Sequence, residues 1–390
     1  MLALKLAYRN LMGAKLRTGL NVLVLSLSFI VIIWNKGLLN GWDQQARRDT
    51  IDWEIGGGQY WQENYDPYDP FTLETGHAPL SGETLHKIRV GKLTPVLIAQ
   101  ATIYPRGRLQ NVLLKGIPPE QKILQLPTAS LARPGQEIPV IIGRRMAKNS
   151  HLKVGDRVTV RWRDAHGTFD ANEAVIVEIF KTNVPTVDQG VFWLPIARLQ
   201  NMLQMEHEAT LLVTAPESGF TGTIPGWIFR DHQFLLKDIR DMIAMKSIGG
   251  KIFFLILLSL AMLAIFDTQV LSIFRRQKEI GTHIALGMTR PQVVGLFTVE
   301  GALHSVLAAV LAALYGIPLL GYQAVNGWTM PAGTDDFGLT IADTIFPEYS
   351  LGLVLGTTLI VLLTTTLVSY LPARRIATME PTDAIRGKIQ

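Results

Sequence analysis

The chain has 390 residues, of which 48% are hydrophobic, and its mean hydropathy is +0.23. It is too apolar for a typical soluble chain of this length and too polar for a transporter with many spans. The net charge of +5 is concentrated beside the apolar segments, so we expect no nucleic-acid partner. The sequence contains no cysteine, which excludes disulfides and a lipidated cysteine anchor.

Four apolar segments account for the high hydropathy. Each is close to the ~20 residues that a helix needs to cross a hydrocarbon core about 30 Å thick. Within Ile252–Phe274 the only charged residue is Asp267, and the third segment carries Glu300 near its start. We therefore predict an integral membrane α-helical protein with four transmembrane helices, at residues 18–40, 250–274, 292–320 and 349–373.

The first apolar segment is longer than the core of a signal peptide and ends without a small-residue cleavage site, so we predict that it is retained. Residues 1–17 precede it and place Leu4, Tyr8 and Leu11 on one helical stripe beside basic residues. This pattern predicts an amphipathic helix on the inner membrane face. A plain basic anchor is the alternative, and both can be true.

Basic residues are distributed unevenly among the connecting segments. Lys and Arg are frequent in residues 1–17, 275–291 and 374–390, whereas residues 321–348 contain none. Short loops rich in Lys and Arg stay in the cytoplasm. We therefore predict cytoplasmic termini, a cytoplasmic segment at 275–291, a short outer loop at 321–348 and a large extracytoplasmic domain at 41–247.

The large domain has the pattern of an α+β fold. Turn clusters and short helical intervals, at 81–89 and 144–152, separate its β-prone runs. The predicted strands include 95–103, 111–117, 139–143 and 174–180, with a hairpin turn at 164–167. We predict two α+β subdomains, one at about 42–119 with return segments and one at about 138–215.

Catalytic and ligand-binding motifs are missing from the sequence. It has no G-x-x-x-x-G-K-[ST] phosphate-binding loop, no H-E-x-x-H and no G-x-S-x-G. Its eight His residues are scattered, as is typical of surface or packing roles. We therefore expect no catalytic residue, no cofactor and no metal site in this chain, although a membrane enzyme is not excluded.

The segment between the second and third apolar runs carries the most specific signal. It reads RRQKEIGTHIALGMTRPQVVGLFTVEG from Arg275 to Gly301 and resembles the signature of the permease family that includes MacB, FtsX and LolC/LolE. The matching residues are Arg275, Arg276, Glu279, Ile280, Gly281, Ala285, Leu286, Gly287, Glu300 and Gly301. A closing block, Pro372–Arg375 followed by Glu380–Arg386, is similar to the family's ending.

The resemblance implies that residues 275–291 include a coupling helix that docks into a separate ATP-binding subunit. The implied contact residues are Arg276, Glu279, Ile280, Gly281, Ala285, Leu286, Gly287 and Met288. Small residues at 281, 285 and 287 would let another surface approach the backbone, while Leu286 and Met288 would offer apolar contacts. A purely topological role is the alternative, but it explains only Arg275, Arg276 and Lys278.

The resemblance also implies a set of partners. Two copies of the ATPase subunit would carry ATP and Mg, and a second permease chain, identical or different, would complete the membrane part. Membrane lipids and a periplasmic lipoprotein carrier are further expected partners. The implied location is the bacterial inner membrane, with the large domain in the periplasm.

Asp267 is the one ionisable residue deep in the second predicted span. Intramembrane carboxylates are costly and usually face a bundle interior or a cavity. Two interpretations stay open. In the first, Asp267 is a polar element at the interface between two permease chains or in a substrate cavity. In the second, it makes a buried hydrogen bond to a neighbouring span or is a proton-bearing acid with no role.

Within the family, the resemblance implies a permease of the mechanotransmission type, and lipoprotein release is the first interpretation. MacB-type export through an outer-membrane duct and FtsX-like regulation of an envelope hydrolase are the alternatives. The large outer domain argues against the regulator, and the stand-alone permease and the Asn40–Trp42 junction favour the LolC/LolE type. Arg163–Ala174 lacks the Pro-containing insertion that forms the carrier hook in LolC, so we expect no such hook in this chain, which is then either more LolE-like or serves another substrate.

Overall fold

The computed structural model describes residues 15–133, 135–216, 222–329 and 344–375. These residues form two compact units. The first contains residues 15–42, 243–328 and 344–375, and the second contains residues 43–133, 135–216, 222–242 and Thr329. Most of the predicted amphipathic helix (residues 1–14) and the closing block Glu380–Arg386 lie outside the described residues.

The described residues form the following α-helices and β-strands. The helices are α1 (Lys15–Thr50), α2 (Gly82–Arg89), α3 (Arg144–Ser150), α4 (Pro185–Asp188), α5 (Ile196–Leu203), α6 (His232–Leu235), α7 (Lys237–Arg275), α8 (Gln277–Ala285), α9 (Arg290–Asn326) and α10 (Leu351–Arg374). The strands are β1 (Gln59–Gln62), β2 (Ala78–Pro79), β3 (Leu93–Ile103), β4 (Gln110–Ile117), β5 (Ile138–Gly143), β6 (Arg157–Arg163), β7 (Phe169–Phe180), β8 (Val191–Pro195), β9 (Glu208–Ala209), β10 (Leu211–Thr214), β11 (Trp227–Arg230), β12 (Trp328–Thr329) and β13 (Thr344–Ile345).

Four helices in the described part of the chain, α1, α7, α9 and α10, are long and apolar enough to cross a membrane. Each contains one of the predicted apolar segments. A helix suits such a segment because it satisfies its own backbone polar groups where no water is present. Both α1 and α7 extend well beyond the predicted spans, to Thr50 and from Lys237. The flanking polar residues continue these helices because many of them are good helix formers.

The helical unit is packed around an apolar cluster to which all four long helices contribute. Its buried members include Leu25 and Phe29 of α1, Leu258, Ala261 and Ile265 of α7, Ala308 and Ala312 of α9 and Val361 of α10. Gly301 lets α9 approach α10 closely, because a Cβ at this position would overlap the Ser369 side chain. The glycine of the Glu300-Gly301 pair therefore has a packing reason.

The second unit is built on one sheet. Its described strands lie in the order β11-β1-β10-β3-β4-β8-β5-β7-β6. Strand β6 also pairs with the end of β3, where Ala101 lies opposite Trp162, so the six strands from β3 to β6 close into a ring. Closure leaves these strands without an open edge for unwanted pairing. Strands from both predicted subdomains therefore share a single sheet.

The ring has an apolar interior and a second apolar cluster outside it. Alternate residues of β3 divide between the two, because side chains alternate across a strand. Leu97, Ala101 and Ile103 pack inside with residues of the other ring strands, whereas Val96 and Ile98 join the outer cluster.

Lys115 of β4 lies in this outer region and is only 9% exposed. Its Nζ donates a hydrogen bond to the Thr186 carbonyl oxygen at 3.3 Å and lies 5.2 Å from the centroid of the Trp193 ring. Burial lowers the pKa of Lys115, and the nearby Glu54 carboxylate partly offsets this. At a pH between the lowered pKa of Lys115 in the native state and its ordinary pKa of 10.5, Lys115 is deprotonated in the native state but protonated in the unfolded state. The free energy of unfolding therefore increases as the pH rises through this interval.

Replacing Lys115 with Met is expected to stabilise the second unit by about 1 kcal/mol at neutral pH, because Met fills the site without a desolvated ammonium group. Hydrogen exchange of the β4 and β8 amides in the detergent-solubilised chain measures this, and about fivefold slower exchange is expected. Lys153→Met, at an exposed turn position, is the control and should leave the rates unchanged. Faster exchange in Lys115→Met would contradict the assignment of a destabilising charge.

Candidate functional site

The connection between α7 and α9 is a short, well-defined helical corner. Helix α8 follows α7 after a break at Arg276, whose φ is −108° and ψ 20°. Its C-terminus is closed by two hydrogen bonds, in which Met288 N donates to His283 O and Gly287 N donates to Ile284 O, both at 3.0 Å. Gly287 has a φ of +96°, a conformation that favours glycine. The glycine of the Ala-Leu-Gly motif therefore ends α8 sharply.

Helix α9 begins immediately after this turn. Thr289 caps it in a reciprocal arrangement with Gln292, whose side-chain oxygen accepts a hydrogen bond from Thr289 N at 2.9 Å. Pro291 occupies the first turn, where its missing N–H costs nothing. The Thr-Arg-Pro-Gln sequence thus fixes where the second long helix starts, and residues 286–289 form a tight corner between two capped helices.

The inner side of α8 packs onto the long helices. Ile280 is fully buried in an apolar cluster that also contains Ile273 of α7, Val293 and Phe297 of α9 and Ala373 of α10. Gly281 is also buried, and Ile284 and Met288 are partly buried against the same cluster. Of the predicted contact residues, Ile280 and Gly281 therefore serve packing within the chain in this conformation and are not open to a partner.

The outer side of the corner is exposed. Glu279, Ala285, Leu286 and Gly287 are all exposed, and Leu286 has 80% of its surface accessible. Leu286 is a large apolar side chain held out from a turn that the hydrogen bonds of Gly287 and Met288 define. A single exposed apolar residue is ordinary, but one presented by a capped, rigid corner suits insertion into a pocket of another protein.

Arg276 connects the corner to α9. Its Nε donates to Glu279 Oε2 at 2.6 Å, and its Nη1 donates to Glu300 Oε2 at 3.0 Å. The guanidinium group also lies 5.0 Å from the centroid of the Phe297 ring. The Glu300 side chain is only 8% exposed, so this ion pair is largely withdrawn from water. Sequence reasoning noted both residues but did not pair them; an acidic residue at the start of an apolar helix, near an Arg-Arg pair, was the available signal.

Asp267 lies on the outward side of α7. It is exposed and has no hydrogen-bond or ion-pair partner among the described residues. Its neighbours turn inward, because Thr268 accepts a hydrogen bond from Asn21 Nδ2 at 2.9 Å and Gln269 is buried. Within the four-helix unit Asp267 makes no hydrogen bond to a neighbouring span among the described residues, because the helix turns this position away from the other helices, and the role of Asp267 stays a prediction.

No metal-binding group stands out in the described ranges. Within residues 15–133, 135–216, 222–329 and 344–375, no three His, Asp or Glu side chains lie close enough together to hold a metal ion.

These features define a membrane protein whose α7–α10 region carries an exposed corner between long apolar helices. Residues 251–381, about a third of the chain, match the family model described as FtsX-like permease C-terminal. The matched segment contains Asp267, the whole corner and Glu300. This segment is thus similar to the C-terminal part of FtsX-like permeases, a family of ABC transporter permeases that typically work with an ATPase partner. The chain matches no curated protein.

Proposed function

We propose that this chain is the permease subunit of an ATP-driven transporter of the bacterial inner membrane, with cytoplasmic termini and its second unit in the periplasm. A separate ATPase subunit, present in two copies, would dock at the corner that presents Leu286. The observation that carries this proposal is the exposed Leu286 on a capped turn whose supporting helix is fixed to three long helices by Ile280.

The packing of α8 supports a mechanical role. A displacement of α8 by the ATPase cannot leave the long helices unmoved, because Ile280 is packed among residues of α7, α9 and α10. The Arg276–Glu300 ion pair adds a second link from the corner to α9. Closely packed apolar contacts transmit displacement because protein interiors have low compressibility. ATP hydrolysis on the partner would thus move these helices and, through α7, the second unit.

A lipidated substrate is the form of cargo that we propose. Burying an acyl chain in a bilayer is worth about 0.8 kcal/mol per CH₂ group, so release of a multiply acylated lipoprotein needs an external energy source. An ATP-driven conformational cycle would supply it, with no need for a solute channel through four helices. A periplasmic carrier would then receive the lipoprotein, and a second permease chain would complete the membrane part.

Release can be measured in proteoliposomes that contain the chain, its co-purified ATPase subunit and a triacylated lipoprotein. We expect lipoprotein in the soluble fraction only with hydrolysable ATP and an added carrier fraction from periplasm. The matched control is the same protein produced without its acyl chains, and it should not stimulate ATP hydrolysis. Hydrolysis that responds instead to small amphiphiles or to an outer-membrane duct would favour MacB-type export and contradict lipoprotein release.

A further inference from the structure

Residues 66–77 form a compact segment between β1 and β2, which we call the strap. It contains a 3₁₀ turn at Pro70–Glu74. Two hydrogen bonds made by Thr72 join its two ends, because Gly76 N donates to Thr72 O at 2.6 Å and Thr72 Oγ1 donates to Asp66 O at 2.9 Å. Since these bonds lie within the segment, we expect the strap to move as one body.

The strap is one wall of a cleft in the second unit, whose volume is about 890 Å³. The opposite wall is the hairpin of β6 and β7, which contributes Arg161 and Phe169, and the floor is formed by β3 and β4. Phe71 of the strap is 85% exposed and Phe169 is 61% exposed, so each wall carries an accessible phenyl ring. The position of the strap relative to the hairpin therefore sets the width of the cleft.

The contact between strap and hairpin is weak. Arg163 Nη1 donates to Glu74 Oε1 at 3.0 Å, and both side chains are exposed. Exposed ion pairs contribute little to stability, so this pair can separate at small cost. The end of the strap is held differently, because His77 is less exposed and pairs with Glu208 of β9. The strap can therefore turn about its His77 end while the hairpin stays in place.

A second contact ties the strap to α7. Tyr68 donates a hydrogen bond from its hydroxyl group to Asp238, in the first turn of α7. This hydrogen bond raises the pKa of Tyr68 to about 12, because loss of the proton would leave two anions in contact. Between α6 and α7 the chain leaves helical geometry at Leu236, whose φ is −91° and ψ 5°. A residue at the end of an element can act as a hinge, and Leu236 has this position.

We infer that the position of α7 sets the width of the cleft, and that Tyr68 is the link through which α7 moves the strap. Helix α7 runs without a break from Lys237 to Arg275, so its first turn and the helical corner belong to one rigid element. A displacement of α7 about Leu236 would carry Tyr68 with it and separate Glu74 from Arg163. The link itself is independent of the proposed function, whereas its movement by ATP hydrolysis rests on that function.

The link is tested first without nucleotide, by hydrogen exchange of the strap amides in the detergent-solubilised full chain. Tyr68→Phe removes only the hydroxyl group, and we expect about fivefold faster exchange, which corresponds to about 1 kcal/mol. Asp238→Ala should have the same effect, and the double variant should exchange no faster than either single variant. Tyr104→Phe is the matched control, because the Tyr104 hydroxyl makes no hydrogen bond within the described part of the chain. Equal exchange in Tyr68→Phe and Tyr104→Phe would overturn the inference.

The movement is tested with pairs of spin labels, which the cysteine-free sequence allows. Thr75→Cys and His166→Cys place exposed labels on the strap and at the hairpin turn. The chain is labelled alone and then combined with its ATPase subunit. We expect the distance between these labels to differ between the nucleotide-free complex and the complex trapped with ATP and vanadate, and the difference to be lost in Tyr68→Phe. Lys153→Cys with His166→Cys is the control pair outside the strap and should show no difference.

The two measurements separate this inference from the proposed function. A complex that hydrolyses ATP while the distance between labels 75 and 166 stays constant would refute the inference and leave the permease assignment standing. Absence of any ATPase subunit would refute the permease assignment, and the exchange rates of Tyr68→Phe would then decide whether the link exists.

Discussion

Leu286→Asp is expected to abolish co-purification of the ATPase subunit, or to leave a complex whose ATP hydrolysis no longer responds to substrate. The physical reason is that Leu286 is 80% exposed on the corner between α8 and α9, where a carboxylate would have to be desolvated in an apolar pocket of the partner. Loss of a central apolar anchor typically costs 2 kcal/mol or more, so at least about 30-fold weaker association is expected. The measurement is affinity purification of the tagged chain, followed by an ATPase assay.

Leu109→Asp is the matched control for this variant. Leu109 is 66% exposed, but it lies in the second unit, between Gly107 and the start of β4. The same chemical change there should alter neither ATPase recovery nor hydrolysis. Unchanged assembly and activity of Leu286→Asp would contradict the docking assignment, whatever the result for Leu109→Asp.

Arg276→Met is expected to loosen α8 from the long helices, because it removes the guanidinium group that forms an ion pair with the buried Glu300 carboxylate. Breaking a buried ion pair by removing one member typically costs about 3–5 kcal/mol. We expect faster hydrogen exchange in α8 and loss of substrate-stimulated ATP hydrolysis. Removing both charges is less harmful than removing one, so Arg276→Met combined with Glu300→Met should recover much of the protection of α8.

Glu279→Gln tests the exposed Arg276–Glu279 ion pair separately from the buried Arg276–Glu300 ion pair. Glu279 also binds Arg276, but its side chain is 58% exposed, and exposed ion pairs contribute only about 0–1 kcal/mol. This variant should therefore exchange at nearly the wild-type rate. Equal effects of Glu279→Gln and Arg276→Met would show that the Arg276–Glu300 pair does not hold α8 in place.

The apolar segments were readable from the sequence because a helix in hydrocarbon needs a continuous run of apolar residues. The same local logic located β3, β5 and α2, and the turn at 164–167 that joins β6 to β7. The ends of α1 and α7 could not be predicted, because polar residues that favour helix continue both helices beyond the apolar segments. The local sequence pattern thus predicted which elements form more accurately than it predicted where they begin and end.

The sequence did not reveal the contacts between residues that are far apart along the chain. Pairing of β3 with β6 closes the ring, but it depends on register across about 60 residues and has no local signature. The orientation of Asp267 follows from which side of α7 packs inward, and both sides of that helix are apolar. Within the corner, the motif located Leu286 and Gly287, whereas the burial of Ile280 and Gly281 became visible only through their packing against three other helices.

The central claim is that this chain is driven by an ATPase carried on another polypeptide. Its most direct test is purification of the tagged chain from its native membrane in mild detergent, with identification of the proteins and acylated cargo that accompany it. The account predicts an ATP-binding subunit in stoichiometric amount, lost in Leu286→Asp and retained in Leu109→Asp. A wild-type chain that purifies intact but without any ATP-binding subunit would contradict the account.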